Sequence, residues 1–332
     1  MTRVLIVDYA WPTLDIERSV LQRAGAELVV ADTGAEEELL RLAPTVDAIM
    51  VCWKPLTGTV LKAATKCSTV ARYGVGVDNI DVPTATDLGI IVSNVPHFCT
   101  PEVADHTMAL VLSHARRVPA LASAVNNAGW DNTVAGPMRR LKGKTFGLVG
   151  YGSIAKEVAV RAAAFGYEVI AYSPSRTGAA SDGVVRFTAS LEELLRSADV
   201  VSLHAPLSPQ TRHLIGATEI ALMKDDALLV NTSRGGLVDQ AALAAALDSG
   251  RLGGAALDVL EAEPPSPNDT ILRSERALIT PHAAFNSIEA VQDLQRTAAE
   301  NVAAVLDGRL PSSVVNESVL TDGRLRREVR SR

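Results

Sequence analysis

Aromatic residues make up only 4% of this 332-residue chain, and cysteine occurs three times, at Cys52, Cys67 and Cys99. Those cysteines have no metal-type spacing, and an odd number closes no disulfide framework. A reducing, cytoplasmic setting and no metal site are expected. Positive charge is in deficit. The formal net charge of −6 argues against a general nucleic-acid surface. No apolar run reaches membrane-spanning length, and residues 1–8 enter a strand without a charged leader, so no membrane partner and no cleaved signal are expected. What the chain has in quantity is Ala, Val and Leu within a 47% hydrophobic composition. Its length suits about two domains, and its composition suits α/β layers around parallel strands.

One stretch, residues 144–173, organises the rest. An apolar run of strand length (145–149) meets Gly150-Tyr151-Gly152, then Ser153 and Ile154, then apolar residues at helical spacing (Ala155, Val158, Ala162), then a second strand-like run (169–172). Gly150 permits the tight turn, Gly152 lets backbone approach a pyrophosphate, and Ala155 allows close packing of helix on strand. Free N–H groups and the positive end of the helix dipole suit a phosphate pair. Strand, glycine turn, helix and strand in this order predict a dinucleotide site.

Before this unit, strands are expected at residues 4–8, 28–30, 48–51, 69–72 and 90–93, with helices at 15–25 and 36–42. This is a small parallel α/β domain, whose ligands bind beyond the carboxyl ends of the strands. Lys54 falls there as a candidate for negative charge, and so does the stretch from Tyr73 to Asn79, where the N–H groups of Val75 and Gly76 could form a nest for a carboxylate. Residues 101–117 read as a helix. On it Asp105 and His106 read as a polar face rather than catalytic groups. Beyond 173, strands at 200–204, 227–231, 255–259 and 277–280 bring the second domain to six strands. An amphipathic helix at 287–306 follows, and its end returns to the first domain. The tail, 322–332, carries five arginines and two acids and reads as disordered. The expected fold is two Rossmann-like α/β domains with a cleft between them: a flavodoxin-like substrate domain (1–99 plus 287–320) and a doubly wound dinucleotide-binding domain (100–286), with 321–332 as a basic tail.

Three late strand ends carry titratable groups: Arg234 in Asn231-Thr232-Ser233-Arg234, Asp258 with Glu261 and Glu263 after it, and His282 after Thr280-Pro281. Gathered at one sheet edge beside a dinucleotide turn, they suit reduction of a 2-oxo acid. His282 donates the proton. Glu263 fixes its tautomer and raises its basicity. Arg234 forks the substrate carboxylate and polarises the carbonyl. Asp258 accepts a hydrogen bond from the nicotinamide carboxamide. The candidate cofactor residues are Gly150, Gly152, Ser153, Ile154, Ser173, Arg176, His204, Thr232 and Asp258. Those for substrate are Lys54, Tyr73, Val75 and Gly76.

The stretches RYGVGVDNID (72–81), NVP (94–96), VGYGSIA (149–155), LHAPL (203–207), NTSRGGLVD (231–239), ALDVLEAEP (256–264) and TPH (280–282) resemble the D-isomer-specific 2-hydroxyacid dehydrogenase family across nearly the whole chain. The resemblance implies a catalytic triad of Arg234, Glu263 and His282, carboxylate-binding amides at Val75 and Gly76, Asp258 toward the nicotinamide, and a homodimer joined near residues 101–130. HAAFNSIEA and AAEN (298–301) are similar to the branch holding the C-terminal binding protein corepressors and 3-phosphoglycerate dehydrogenases, so a cofactor-sensing scaffold and 3-phosphoglycerate dehydrogenase are the alternative readings. The lack of long extensions favours the plain enzyme. Phe285-Asn286 departs from the corepressors' aromatic pair. A second departure is Ser173, which stands where NAD-using members carry an acidic residue on the adenine ribose. Without a carboxylate there, and with Arg176 nearby, NADP(H) is the expected cofactor and NAD(H) the secondary one.

Overall fold

The computed structural model describes residues 2–127, 129–176 and 181–330. The chain divides into two compact units, Met1–Phe98 with Ser287–Arg332, and Cys99–Asn286.

The first unit runs β1 (Thr2–Ile6), α1 (Asp15–Arg23), β2 (Ala26–Val30), α2 (Glu36–Leu42), β3 (Ala48–Val51), α3 (Gly58–Ala63), β4 (Thr69–Arg72), α4 (Val82–Asp87) and β5 (Ile91–Ser93). Its strands are all parallel in the order β2-β1-β3-β4-β5, the flavodoxin-like arrangement. Strands β3, β4 and β5 are buried along their whole length, which is why they read as continuous apolar runs rather than alternating ones. The sequence reading lacks α3 and α4. Parallel neighbours demand crossovers, and both helices form where a side chain caps them: Thr57 Oγ1 accepts the Val60 N–H, and Asp81 Oδ1 accepts the Thr84 N–H, with Pro83 in the first turn of α4.

The second unit runs α5 (Thr100–Ala115), α6 (Val118–Asn126), β6 (Thr145–Val149), α7 (Ser153–Ala164), β7 (Glu168–Tyr172), β8 (Val185–Phe187), α8 (Leu191–Ser197), β9 (Val200–Leu203), α9 (Ala217–Leu222), β10 (Leu228–Asn231), α10 (Gln240–Asp248), β11 (Gly254–Leu257) and β12 (Ala277–Ile279). Its parallel sheet has the order β12-β11-β10-β9-β6-β7-β8. This is a doubly wound dinucleotide fold with a seventh strand. The extra edge strand, β8, is three residues long (Val-Arg-Phe), too short to show a period. Helices α5 and α7 cover one face through Ala104, Met108, Val158 and Ala162. Leu194, Ile220 and Leu243 of α8, α9 and α10 pack on the other.

The chain re-enters the first unit with α11 (Ile288–Leu306), which packs on α1 and β4. The expected disordered tail is corrected over residues 321–330; residues 331–332 lie outside the described residues. Leu325 and Val329 pack beside the buried Ile91, Val305 and Val319. The Arg326 guanidinium donates to the Ala64 and Cys67 carbonyls beyond the end of α3, and its backbone N–H donates to Gly89 O. Charge content concealed two apolar anchors four residues apart and an arginine that bridges two backbone carbonyls. Among the described residues no helix is long and apolar enough to cross a membrane, and no cluster of His, Cys, Asp and Glu could hold a metal ion.

Candidate active site

At the carboxyl edge of the second sheet, three strand ends converge. The Nδ1–H of His282 donates to Glu263 Oε2 at 2.6 Å, and Glu263 Oε1 accepts the Leu260 N–H at 2.9 Å. Burial alone would raise the Glu263 carboxyl. The hydrogen bond and charge of His282, the Leu260 N–H and the charge of Arg234 outweigh it, and the group sits below its ordinary value. Glu263 and His282 are thus a hydrogen-bonded pair, and the charge of Arg234 acts on the same carboxyl. His282 has a left-handed backbone (φ 51°), and its N–H is tied to Asp258 O at 2.8 Å. With Nδ1 on the carboxylate, Nε2 lies on the opposite edge of the ring.

Asp258, 2% exposed, builds that turn. Its Oδ1 accepts Thr280 Oγ1–H at 2.6 Å and the Ala283 N–H at 2.9 Å; its Oδ2 accepts the Ala284 N–H at 2.9 Å. The carboxylate is mostly engaged in holding the His282 loop. His106 joins it, with Nε2 3.0 Å from Thr280 Oγ1 and 3.5 Å from Asp258 Oδ1. The polar-face reading of His106 is thus corrected: it buttresses the loop, a pairing across 174 residues that no local pattern shows. Asp105 does lie on the exposed face, paired with Arg161 at 2.6 Å.

Arg234 opens the turn after β10. Asn231 pins this turn, its Nδ2 donating to Arg234 O and its Oδ1 accepting the Ser233 N–H. A Cβ on Gly235 would stand 1.9 Å from Leu260 O, so the Arg234 turn and the Leu260–Glu263 loop touch backbone to backbone. His213 also reaches this loop, its Nε2 hydrogen-bonded to Glu261.

Gly150 has φ 92°, and a Cβ there would meet His204 O at 2.6 Å, whereas a Cβ on Gly152 would meet nothing within 4 Å. No side chain caps α7, and among the described residues the N–H groups of Gly152, Ser153 and Ile154 have no hydrogen-bond partner. This open, uncapped helix start fits a pyrophosphate. His204 is held neutral, pushed down to about 4 by burial, and its Nε2 faces Ser202 Oγ at 2.9 Å. The Thr232 hydroxyl is bonded to Thr107 Oγ1 at 2.9 Å.

In the first unit Tyr73 is corrected. It is 1% exposed, its ring meets Trp11 edge-on at 4.7 Å, and its hydroxyl donates to Glu17 Oε1 at 3.1 Å. The side chain is core and does not line a substrate site. The backbone after it leaves N–H donors open. Gly74 (φ 139°) has the Arg72 guanidinium where its Cβ would stand. Among the described residues the N–H groups of Val75 and Gly76 are without hydrogen-bond partners. Asn94 Nδ2 clamps Val75 O at 2.6 Å, while Asn79 Nδ2 clamps Cys52 O and Lys54 O. Lys54 is exposed, and its N–H, with those of Cys52 and Trp53, donates to Asp8. The sequence reading gave Arg72 and Asp8 no role: Arg72 closes β4 at the head of the 72–81 stretch, and Asp8 follows β1 with no motif around it.

Residues 108–284 match the family described as D-isomer specific 2-hydroxyacid dehydrogenase, NAD binding domain. The glyoxylate reductase of Aeropyrum pernix is 40% identical over 291 residues, 86% of this chain and 87% of that protein. The chain belongs to the D-isomer specific 2-hydroxyacid dehydrogenase family. It is accordingly a nicotinamide-dependent oxidoreductase acting on 2-hydroxy and 2-oxo acids. This dehydrogenase is also 39% identical over 318 residues to the D-3-phosphoglycerate dehydrogenase of Methanocaldococcus jannaschii, covering 95% of this chain but only 60% of that longer protein. A solved structure of the NADPH-dependent glyoxylate/hydroxypyruvate reductase of Sinorhizobium meliloti, in complex with NADP and malonate, aligns with TM-score 0.83 and 28% identity over 96% of this chain and 97% of that one.

Proposed function

We propose that this dehydrogenase reduces a small 2-oxo acid carrying a second anionic group, with His282 as the general acid and NADPH as the preferred reductant. The observation that carries the acid assignment is the 2.6 Å contact from His282 Nδ1 to Glu263 Oε2. A carboxylate on Nδ1 stabilises the imidazolium and aims Nε2–H at the reacting oxygen. Arg234 binds the substrate carboxylate and favours charge developing on the carbonyl oxygen. The Val75 and Gly76 amides take a carboxylate, and Arg72 and Lys54 supply positive charge for the second anion. Gly150, Gly152, Ser153 and Ile154 would hold the cofactor pyrophosphate, and the bound dihydronicotinamide supplies the hydride. As the carbonyl carbon gains that hydride, the carbonyl oxygen takes the proton from Nε2, leaving a 2-hydroxy acid and neutral imidazole.

A panel of 2-oxo acids tests the substrate reading. Those with a phosphate, phosphonate or second carboxylate should have the higher kcat/KM, by about tenfold for one added charge-assisted contact. Equal or better turnover of pyruvate or glyoxylate sinks the doubly anionic reading. The relative from Methanocaldococcus jannaschii, named for a phosphorylated hydroxy acid, supports it.

For the cofactor, Ser173 offers no carboxylate to repel a 2′-phosphate, and Arg176 lies over the Tyr151 and Phe187 rings, at 5.4 and 5.7 Å. Nicotinamide fluorescence titration should show NADPH bound about tenfold more tightly than NADH. Tighter NADH binding overturns that preference.

The Gly235 contact gives a further expectation. Gly235→Ala forces the Arg234 turn away from Leu260, and a shift of about 1 Å should lower kcat by roughly 10²-fold with cofactor Kd little changed. Wild-type kcat in the variant would show that the two loops need not touch.

The protein is further proposed to be a cytosolic homodimer. The three buried free thiols suit a reducing compartment, and α6 has no buried residue while Val118, Val125 and Trp130 are exposed.

A further inference from the structure

The dinucleotide unit lacks a carboxylate at the end of β7 but places one close by, on a different segment. Asp182 sits just before β8, tied to Val185 by a pair of backbone hydrogen bonds of 3.0 Å in each direction. Its Oδ2 lies 3.4 Å from Arg176 Nη1, and the Arg176 guanidinium lies 5.4 Å from the centre of the Tyr151 ring. Tyr151 is the central residue of the Gly150-Tyr151-Gly152 turn, and the Arg176 N–H donates to Ser173 O at 2.9 Å. Asp182 is thereby linked through Arg176 to both ends of the proposed adenosine site, because Arg176 is tied to the end of β7 and lies over the ring at the centre of the glycine turn.

The aromatic framework makes this arrangement specific. Tyr151 and Phe187 meet edge to face at 5.1 Å with an 88° interplanar angle. Arg176 lies over both rings, and Lys156 Nζ lies 5.9 Å from the Tyr151 ring. Two cations therefore gather at one ring, and a single carboxylate faces one of them. The rings orient the guanidinium, and the carboxylate occupies it. An arginine in this state already faces one anion at Nη1, and a 2′-phosphate competes with it.

We propose that Asp182 is a specificity-determining residue that competes with the 2′-phosphate of NADPH for Arg176 and so sets the ratio of NADPH to NADH affinity. This rests on the reading of Arg176 as the 2′-phosphate ligand. NADH brings no anion to that position, so the Arg176–Asp182 pair stays intact in its complex and NADH remains a usable cofactor. NADPH breaks the pair and replaces it with a more highly charged one. The carboxylate that β7 lacks is supplied from beyond the strand, and it narrows a preference that Ser173 and Arg176 alone would make wide.

The test is a cycle of four proteins, wild type, Asp182→Asn, Arg176→Ala and the double variant, each titrated with NADPH and NADH. Both side chains are partly exposed, at 44% and 40%, and the Asp182–Val185 hydrogen bonds are backbone to backbone, so the folds should be retained. D182N should tighten NADPH about five- to tenfold, change NADH less than twofold, and lose its effect when Arg176 is alanine. Arg176→Ala alone reports on the NADPH reading. If it leaves the NADPH constant at the wild-type value, that reading falls and the proposal with it. If R176A weakens NADPH while D182N leaves the NADPH to NADH ratio unchanged, the proposal alone is overturned. It is equally overturned if D182N tightens NADPH as strongly without Arg176 as with it.

Discussion

His282→Ala lowers kcat for 2-oxo acid reduction by roughly 10³-fold while the Kd of either nicotinamide cofactor moves less than twofold, the loss typical of removing one positioned general acid. The expectation follows from how the residue is held. Its ring is fixed by Glu263 at 2.6 Å, its N–H is fixed by Asp258 O, and the Asp258 carboxylate is in turn bound by Thr280, Ala283 and Ala284. That framework is mostly backbone and survives loss of the imidazole. The left-handed φ of 51° suits alanine poorly, so His282→Asn, which tolerates this conformation, is the companion variant. Both should lose turnover alike. Equal losses in kcat and in cofactor affinity would show instead that His282 is structural.

The acid side of the pH profile follows from Glu263. Its carboxyl lies below the ordinary value, so its favourable interaction with His282 is complete above that ordinary value and is lost only as pH falls through the lowered one. Activity should persist well into the acid range for this reason. Glu263→Gln has no carboxyl to protonate, so the acid-side loss should be absent from the turnover this variant retains.

The site's chemistry was legible because the groups that carry it follow strands. Arg234 comes after β10, Asp258 after β11 and His282 after β12, and parallel strands deliver their carboxyl ends to one edge whatever the helices between them do. The groups that hold the site were not legible. His106 finds Thr280 across 174 positions, and Arg72 finds Gly74 only because a Cβ is missing there. Tyr73 was assigned to substrate because it adjoins the Val75–Gly76 amides. The strand before it is buried on both faces, so no alternation disclosed that its ring turns inward. The docked residues 321–330 escaped notice for a related reason. Composition counts five arginines, whereas the packing rests on Leu325, Val329 and one guanidinium that meets two carbonyls.

Glu17→Ala is expected to cost the first unit roughly 3 kcal/mol or more, because each buried donor left without its acceptor costs about 1–3 kcal/mol. Glu17 is fully buried in α1. Its Oε1 accepts Trp11 Nε1–H and the Tyr73 hydroxyl, both at 3.1 Å, and its Oε2 accepts Gln295 Nε2–H at 2.9 Å. Truncation strands three donors from three segments: the loop after β1, the end of β4 and α11. Glu17→Gln should cost less, because Oε1 can still accept from Trp11 and Tyr73. Its new N–H₂ would face the Gln295 amide, which already donates to Thr13 O. The pH dependence separates these effects. Burial raises the Glu17 carboxyl above its ordinary value against the opposing hydrogen bonds, so the stability associated with its proton is fully present below the unfolded-chain value and is lost as pH rises through the folded one. Wild type should thus lose stability relative to Glu17→Gln as pH rises through that window, as read from the slowest-exchanging amides of β1 and β4 by hydrogen exchange. A pH-independent difference between the two proteins would mean that Glu17 is charged at every pH tested. In either case Tyr73 leads directly into Gly74, so loosening this cluster should also raise KM for the 2-oxo acid more than it lowers kcat, carrying a core defect to the amides of Val75 and Gly76.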